Sequence, residues 1–257
     1  MALLKAVSAA SLLAILFLGA AACGDDNASS SDPGGRLTVF AAASLTEAFT
    51  DTEASLESAY DGLEVVYSFA GSGALVTQVE QGAPADVIAT ADTASMQRLV
   101  DAGLVEAPTA FARNRLQILV APGNPHDIAS LASLAHPDLT LVLADESVPA
   151  GKYAAQALAA AGVTVSPVSK ELDVKAAVAK VTSGEADATI VYATDVTAAG
   201  DKADGVVIPD DENVVATYPI AIVKATGHRA AAEAFIESVA SGDAQRVLQA
   251  RGFLPPA

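Results

Sequence analysis

One cysteine stands in a chain of 257 residues, and tryptophan is absent. A lone cysteine excludes any internal disulfide. Aromatic residues make up only 5% of the chain while hydrophobic residues make up 52%, so the protein is globular and its core must be mostly aliphatic. Basic residues are scarce as well: 14 Lys+Arg face 31 Asp+Glu, leaving a formal net charge of −17, and the cations stand singly along the chain. Without a basic patch, a nucleic-acid partner is excluded. His126, His136 and His228 sit in turns beside Pro125, Pro137 and Gly227, and none has metal-ligand spacing to another His or to Cys. No cofactor is expected. The length suits one large domain or two small ones.

What is present begins with a processing signal. Met1 to Cys23, "MALLKAVSAASLLAILFLGAAAC", carries one cation at Lys5, an apolar run from Ala6 onward and three small residues before the cysteine, the pattern of a secretory signal peptide. Small residues directly before a lone Cys also resemble a bacterial lipobox, which would make Cys23 the lipid-modified first residue of the mature chain. An uncleaved membrane helix is the alternative, because the apolar run is just long enough to span. Either reading exports the remainder and tethers it outside the membrane. Residues 24 to 35, "GDDNASSSDPGG", read as a flexible polar linker spanning on the order of 20 Å. Asn27-Ala28-Ser29 fits a glycosylation sequon but in this setting reads as chance.

From Arg36 the chain alternates strand and helix. "RLTVFAAA", "LEVVYSFA", "ADVIATA", "LQILVAP", "LTLVLAD", "ATIVY" and "YPIAIV" read as strands, and amphipathic or alanine-rich helices separate most of them. The fully apolar runs Leu116 to Pro122 and Leu139 to Asp145 are expected to be buried on both faces. This alternation predicts an α/β fold with mostly parallel sheets and helices on both faces.

In such sheets ligands sit beyond the carboxyl ends of the strands, where the next helix begins. Ser44 stands there, after Ala41-Ala42-Ala43. Ser44-x-x-Glu47 also spells a capping box, so a plain cap is one reading. A cap does not require three consecutive tiny side chains, whereas a ligand lying against backbone N–H groups does. Gly71-Ser72-Gly73 repeats the layout after the second strand, a bare backbone and a hydroxyl at a helix start. Pro149 suits the first position of a helix and leaves the amides of Ala150 and Gly151 pointing outward. Asp173 caps the helix that Val174 opens. Four such helix N-termini point to one anion in a cleft.

In combination, "VFAAASLTEAF", "FAGSGAL", "GAPADVIATAD", "VPAGKYA", "IVYATD", "YPIAIV" and "RGF" resemble the substrate-binding proteins of bacterial molybdate ABC importers, over about Leu37 to Phe253. The resemblance implies a two-lobed type II periplasmic-binding-protein fold that closes on molybdate or tungstate, with two crossover strands as hinge. Lobe one is expected over 36–118 plus 222–257 and lobe two over 119–221. Ligand contacts carried over by motif fall on Ser44, Ser72, Ala150, Val174 and Tyr192. Metal would enter only as the oxyanion's own centre, through those same residues. The resemblance further implies a permease and an ATPase as membrane partners, and a monomeric binding protein without catalytic activity.

None of the five positions is Lys or Arg. The dianion would therefore be held by neutral donors, and a protonated anion such as monohydrogen phosphate would find no acceptor for its proton. Asp173 and Asp195 lie close in sequence and read as helix caps. Tyr192 reads equally as a contact or as a large residue ending its strand, and the motif decides for contact. Tyr153, one helical turn past Pro149, reads as packing. A hydrolase with Ser72 as nucleophile is a second class of function, but "AGSGA" lacks the Gly-x-Ser-x-Gly elbow and no His occupies a comparable loop. A ferric-iron binder would need clustered Tyr, Asp or His. A binder of sulfate or another small anion remains as the alternative of the same fold.

Overall fold

The computed structural model describes residues 34–256. The leader expected over 1–23, with Cys23, and the linker up to residue 33 lie outside the described residues.

Strand β1 (Gly35–Ala42) pairs in parallel with β2 (Leu63–Ala70) and with β3 (Val87–Ala89). Helix α1 (Thr46–Ala59) joins β1 to β2, and α2 (Ser72–Glu80) joins β2 to β3. The side-chain alternation of a strand explains why this sheet needs both faces covered. Leu37, Val39 and Ala41 pack into one core with Phe49 of α1, while Phe40 packs into another with Leu75 and Val76 of α2. Val87 and Ala89 of β3 repeat the first set and Ile88 the second.

After α3 (Thr93–Asp101) comes β4 (Thr109–Val120), which is longer than the apolar run alone suggests. Its first half, Thr109 to Arg115, pairs with β9 (Val215–Ile222), and its second half, Leu116 to Val120, pairs with β7 (Ala188–Tyr192). Strand β9 in turn pairs with β3. Thus β4 and β9 carry the chain out of the β1–β3 half and back into it. Between them lie the two-stranded sheet of β5 (Val142–Ala144) and β6 (Ser169–Glu171), the helices α4 (Pro149–Ala160), α5 (Val174–Thr182) and α6 (Ala193–Ala199), and β8 (Asp204–Val207) on β4. Helices α7 (Arg229–Ser241) and α8 (Asp243–Ala250) return to the first half.

Parallel pairing is confined to the βαβ units. Every ladder made by β4 or β9 is antiparallel, because these strands run across the molecule rather than returning through a helix. The expectation of mostly parallel sheets is corrected accordingly. Leu139 to Asp145 forms a strand only over Val142–Ala144, with Leu141 bridged to Ala188.

Helix α4 is seated unusually close to the end of β5. A Cβ on Gly151 would run into the carbonyl oxygens of Ala144 and Asp145, which are backbone atoms that cannot swing aside. Gly151→Ala is therefore expected to destabilise the fold by about 3 kcal/mol, read as a lowered midpoint in denaturant with an unchanged slope. A variant as stable as the parent would contradict this seating.

Candidate functional site

The helix starts converge on one small cavity. Ser44, Ser72, Ala150, Val174 and Tyr192 all line it, together with Ala42, Ala43, Gly71, Ala91, Val148, Pro149 and Asp173. At about 20 Å³ it has room for a water or two in this structure, far below the roughly 300–1,000 Å³ of sites for organic ligands. No Lys, Arg or His lines it. The side chains facing it are small or apolar apart from three hydroxyls and the Asp173 carboxylate.

Each hydroxyl is positioned differently. Ser44 sits in a single 3-10 turn, Ala43–Leu45, and α1 begins only at Thr46 with no side-chain cap. The capping-box reading of Ser44 and Glu47 is thereby corrected: Ser44 Oγ instead lies 2.9 Å from the Tyr218 hydroxyl, 174 positions away. Ser72 opens α2, and its Oγ accepts the backbone N–H of Ala91 at 3.0 Å. The Tyr192 ring ends β7, only 1% exposed, and its hydroxyl has no hydrogen-bond partner among the described residues. Burial is the main reason its pKa lies well above the ordinary tyrosine value, so it stays a protonated donor.

Ala150 and Val174 face the cavity from the first turns of α4 and α5, where backbone N–H groups lack intrahelical partners. Pro149 occupies the start of α4 as expected. Asp173 caps α5, its Oδ1 accepting the Ala176 N–H at 2.9 Å, which turns that carboxylate oxygen away from an acceptor role in the cavity. Tyr153 packs half-buried against the core, and burial, with the nearby Asp92 charge, lifts its hydroxyl to about 12.

The glycines have a reason the sequence reading did not reach. A Cβ on Gly71 would lie 2.8 Å from the Leu172 carbonyl oxygen and 2.9 Å from Val148 Cγ1, so the opposing half of the molecule presses on it. Gly71 itself has φ −59° and ψ 137°, open to any residue. It is glycine for space, not for conformation.

Residues 37–254 match the family model of the bacterial extracellular solute-binding proteins. The chain belongs to that family. This solute-binding protein is 40% identical to the molybdate-binding protein ModA of Mycobacterium tuberculosis over 249 residues, 95% of each chain. It is 33% identical to the molybdate-binding protein ModA of Escherichia coli over 231 residues, 85% of this chain and 89% of that one. The periplasmic molybdate-binding protein of Azotobacter vinelandii superimposes with a TM-score of 0.75 at 22% identity, over 86% of this chain and all of that one (100%). The fold is that of a type II periplasmic binding protein.

Behind the cavity wall the solute-binding protein holds an ion cluster that motif reading did not find. Lys175 Nζ on α5 contacts Glu47 Oε2 on α1 at 2.6 Å and Asp195 Oδ1 on α6 at 2.8 Å. Asp195 is fully buried, and its other oxygen accepts the Tyr192 N–H at 3.2 Å. Asp195 is thus more than the helix cap expected: it seats the backbone from which the Tyr192 ring projects. Burial raises its pKa above the ordinary carboxylate value, although Lys175 opposes the shift. Burial likewise works against the Lys175 charge, but Asp195 and Glu47 outweigh it and lift its pKa.

Lys175→Met would leave Asp195 without a counter-ion and is expected to cost about 3 kcal/mol of stability at neutral pH. A carboxyl whose folded pKa is raised favours the folded state below its unfolded pKa and loses that advantage as pH rises through the folded value. The deficit should accordingly shrink on acidification toward the carboxylate range, in melting temperatures compared at neutral and mildly acidic pH. A deficit independent of pH would contradict the assignment.

Proposed function

We propose that this solute-binding protein captures molybdate, or the isosteric tungstate, in the cavity described and delivers it to the permease and ATPase subunits of an ABC importer. The observation that carries the reading is a cavity of about 20 Å³ whose hydroxyls and helix starts face inward with no cation among them. A tetrahedral dianion fits such a set, since it needs many donors and offers only acceptors. Each charge-assisted hydrogen bond contributes roughly 1.5–3 kcal/mol, so about seven offset the cost of dehydrating the ion. The names of the Mycobacterium tuberculosis and Escherichia coli relatives support the choice of anion.

On this reading Ser44, Ser72 and Tyr192 donate hydroxyls, and backbone amides at Ala150 and Val174 complete the shell. Residues 36–118 plus 222–257 form one lobe and residues 119–221 the other, with β4 and β9 as the hinge between them. Cys23 carries a lipid that tethers a monomeric domain to the membrane through the linker. The protein binds rather than catalyses: Ser72 Oγ already accepts a backbone N–H, and no histidine lines the cavity to act as its base.

A thermal-shift screen with molybdate, tungstate, sulfate, phosphate and ferric citrate tests this. Molybdate and tungstate should raise the melting temperature and the others should not. Stabilisation by sulfate alone would instead make the protein a sulfate binder of the same fold.

A further inference from the structure

Both serine hydroxyls of the cavity are held from behind. The Ala91 N–H can only donate, so Ser72 Oγ accepts from it and keeps its own proton for another partner. At Ser44 the partner is the Tyr218 hydroxyl, where either oxygen could donate. Tyr218 stands on β9, is fully buried, and forms no part of the cavity wall. Its ring is fixed edge-on between Tyr192, at 5.8 Å between centroids, and Phe253, at 5.4 Å. Its hydroxyl faces Asn114 and Tyr192 as well as Ser44. Asn114 is buried on β4 with its amide orientation set, because Oδ1 accepts the Arg115 N–H at 3.0 Å and Nδ2 donates to Thr194 Oγ1 at 2.8 Å.

We infer that Tyr218 is a positioning residue that directs the Ser44 proton into the cavity, by donating its own proton to Ser44 Oγ. The inference rests on reading the cavity as an oxyanion site. A fully deprotonated oxyanion only accepts, so Ser44 must donate to it, and the 2.9 Å contact can then be satisfied only by donation from Tyr218. Phenol and serine form a one-way relay in which Ser44 Oγ accepts from behind and donates forward, and such chains strengthen their terminal donor. Ser72 has the same arrangement with the Ala91 N–H in place of the phenol. The relay also bears on selectivity. To accept a proton from monohydrogen phosphate, Ser44 would have to turn its own proton back onto Tyr218, and Tyr218 its proton away from Ser44. The anion would gain an acceptor but lose a donor.

A double-mutant cycle read by isothermal titration with molybdate tests the relay, with phosphate read by competition in mildly alkaline buffer. Tyr218→Phe keeps the ring and its packing. Alone it should weaken molybdate about tenfold, while in a Ser44→Ala background it should change affinity less than about twofold. Phosphate should weaken less than molybdate in Tyr218→Phe, so the preference for molybdate narrows. An equal effect of Tyr218→Phe in both backgrounds, equal weakening of both anions, or no effect would overturn the inference, since packing alone would then describe Tyr218. If the parent protein fails to bind molybdate, the functional reading itself falls with it.

Discussion

Ser44→Ala and Ser72→Ala should each lose about 1.5–3 kcal/mol of molybdate binding, a factor of roughly ten to a hundred and fifty. Each leaves a charged oxygen of the anion without its donor inside a closed cavity. Each also removes the serine's second partner, the Tyr218 hydroxyl or the Ala91 N–H. Lys152→Ala is the control. Its ammonium stands 4.0 Å from Asp92 and its side chain is 42% exposed, so its charge belongs to the rim and its loss should cost little. Isothermal titration of the three variants separates a neutral-donor site from a cation-paired one. Loss of binding in Lys152→Ala with normal binding in both serine variants would establish the latter.

Gly71→Val should weaken binding by at least about a hundredfold, roughly 3 kcal/mol, while leaving the melting temperature of the unliganded protein nearly unchanged. The added carbons would meet the Leu172 carbonyl and Val148, which belong to the opposing half of the molecule. On the proposed two-lobe reading the halves part in the unliganded protein, and the ordinary backbone angles of Gly71 then impose no strain on a side chain. A variant that binds normally would show that Gly71 does not govern closure.

Global charge should not help the anion in. From Gly24 onward the chain carries 13 Lys+Arg, the total of 14 less Lys5, against 31 Asp+Glu, a net of −18. At physiological ionic strength that field is largely screened beyond about 8 Å, whereas hydrogen bonds inside a closed cavity are screened much less. Affinity therefore resides in the local donors.

Four of the five candidate residues that line the cavity stand at a strand-to-helix joint with a local signature: small residues before Ser44, glycines around Ser72, Pro149 before Ala150, a capping Asp before Val174; Tyr192 has none, and only the family motif pointed to it. Such signatures are local in sequence, and so is the geometry they dictate. What stayed hidden depends on long-range pairing. Nothing around Tyr218 in "YPIAIV" announces a partner at Ser44, and Lys175 looks like an ordinary surface lysine of α5 until α1 and α6 are placed against it. Strands β6 and β8 escaped for a related reason. "SKE" and "DGVV" are too short and too polar at their starts to show apolar alternation, and they are strands because β5 and β4 offer them edges. The glycine pair around Ser72 was read for a ligand's approach, yet the atom nearest a Cβ on Gly71 belongs to the facing backbone.

The most direct test is a crystal structure of the protein grown with molybdate, with anomalous data collected at the molybdenum edge. A single strong peak is expected inside the cavity, with tetrahedral density whose oxygens lie within hydrogen-bond reach of Ser44, Ser72 and Tyr192 hydroxyls and of backbone amides at Ala150 and Val174, and with no Lys or Arg in contact. A peak outside the cavity, or one coordinated by a lysine or arginine, would contradict the neutral-donor site.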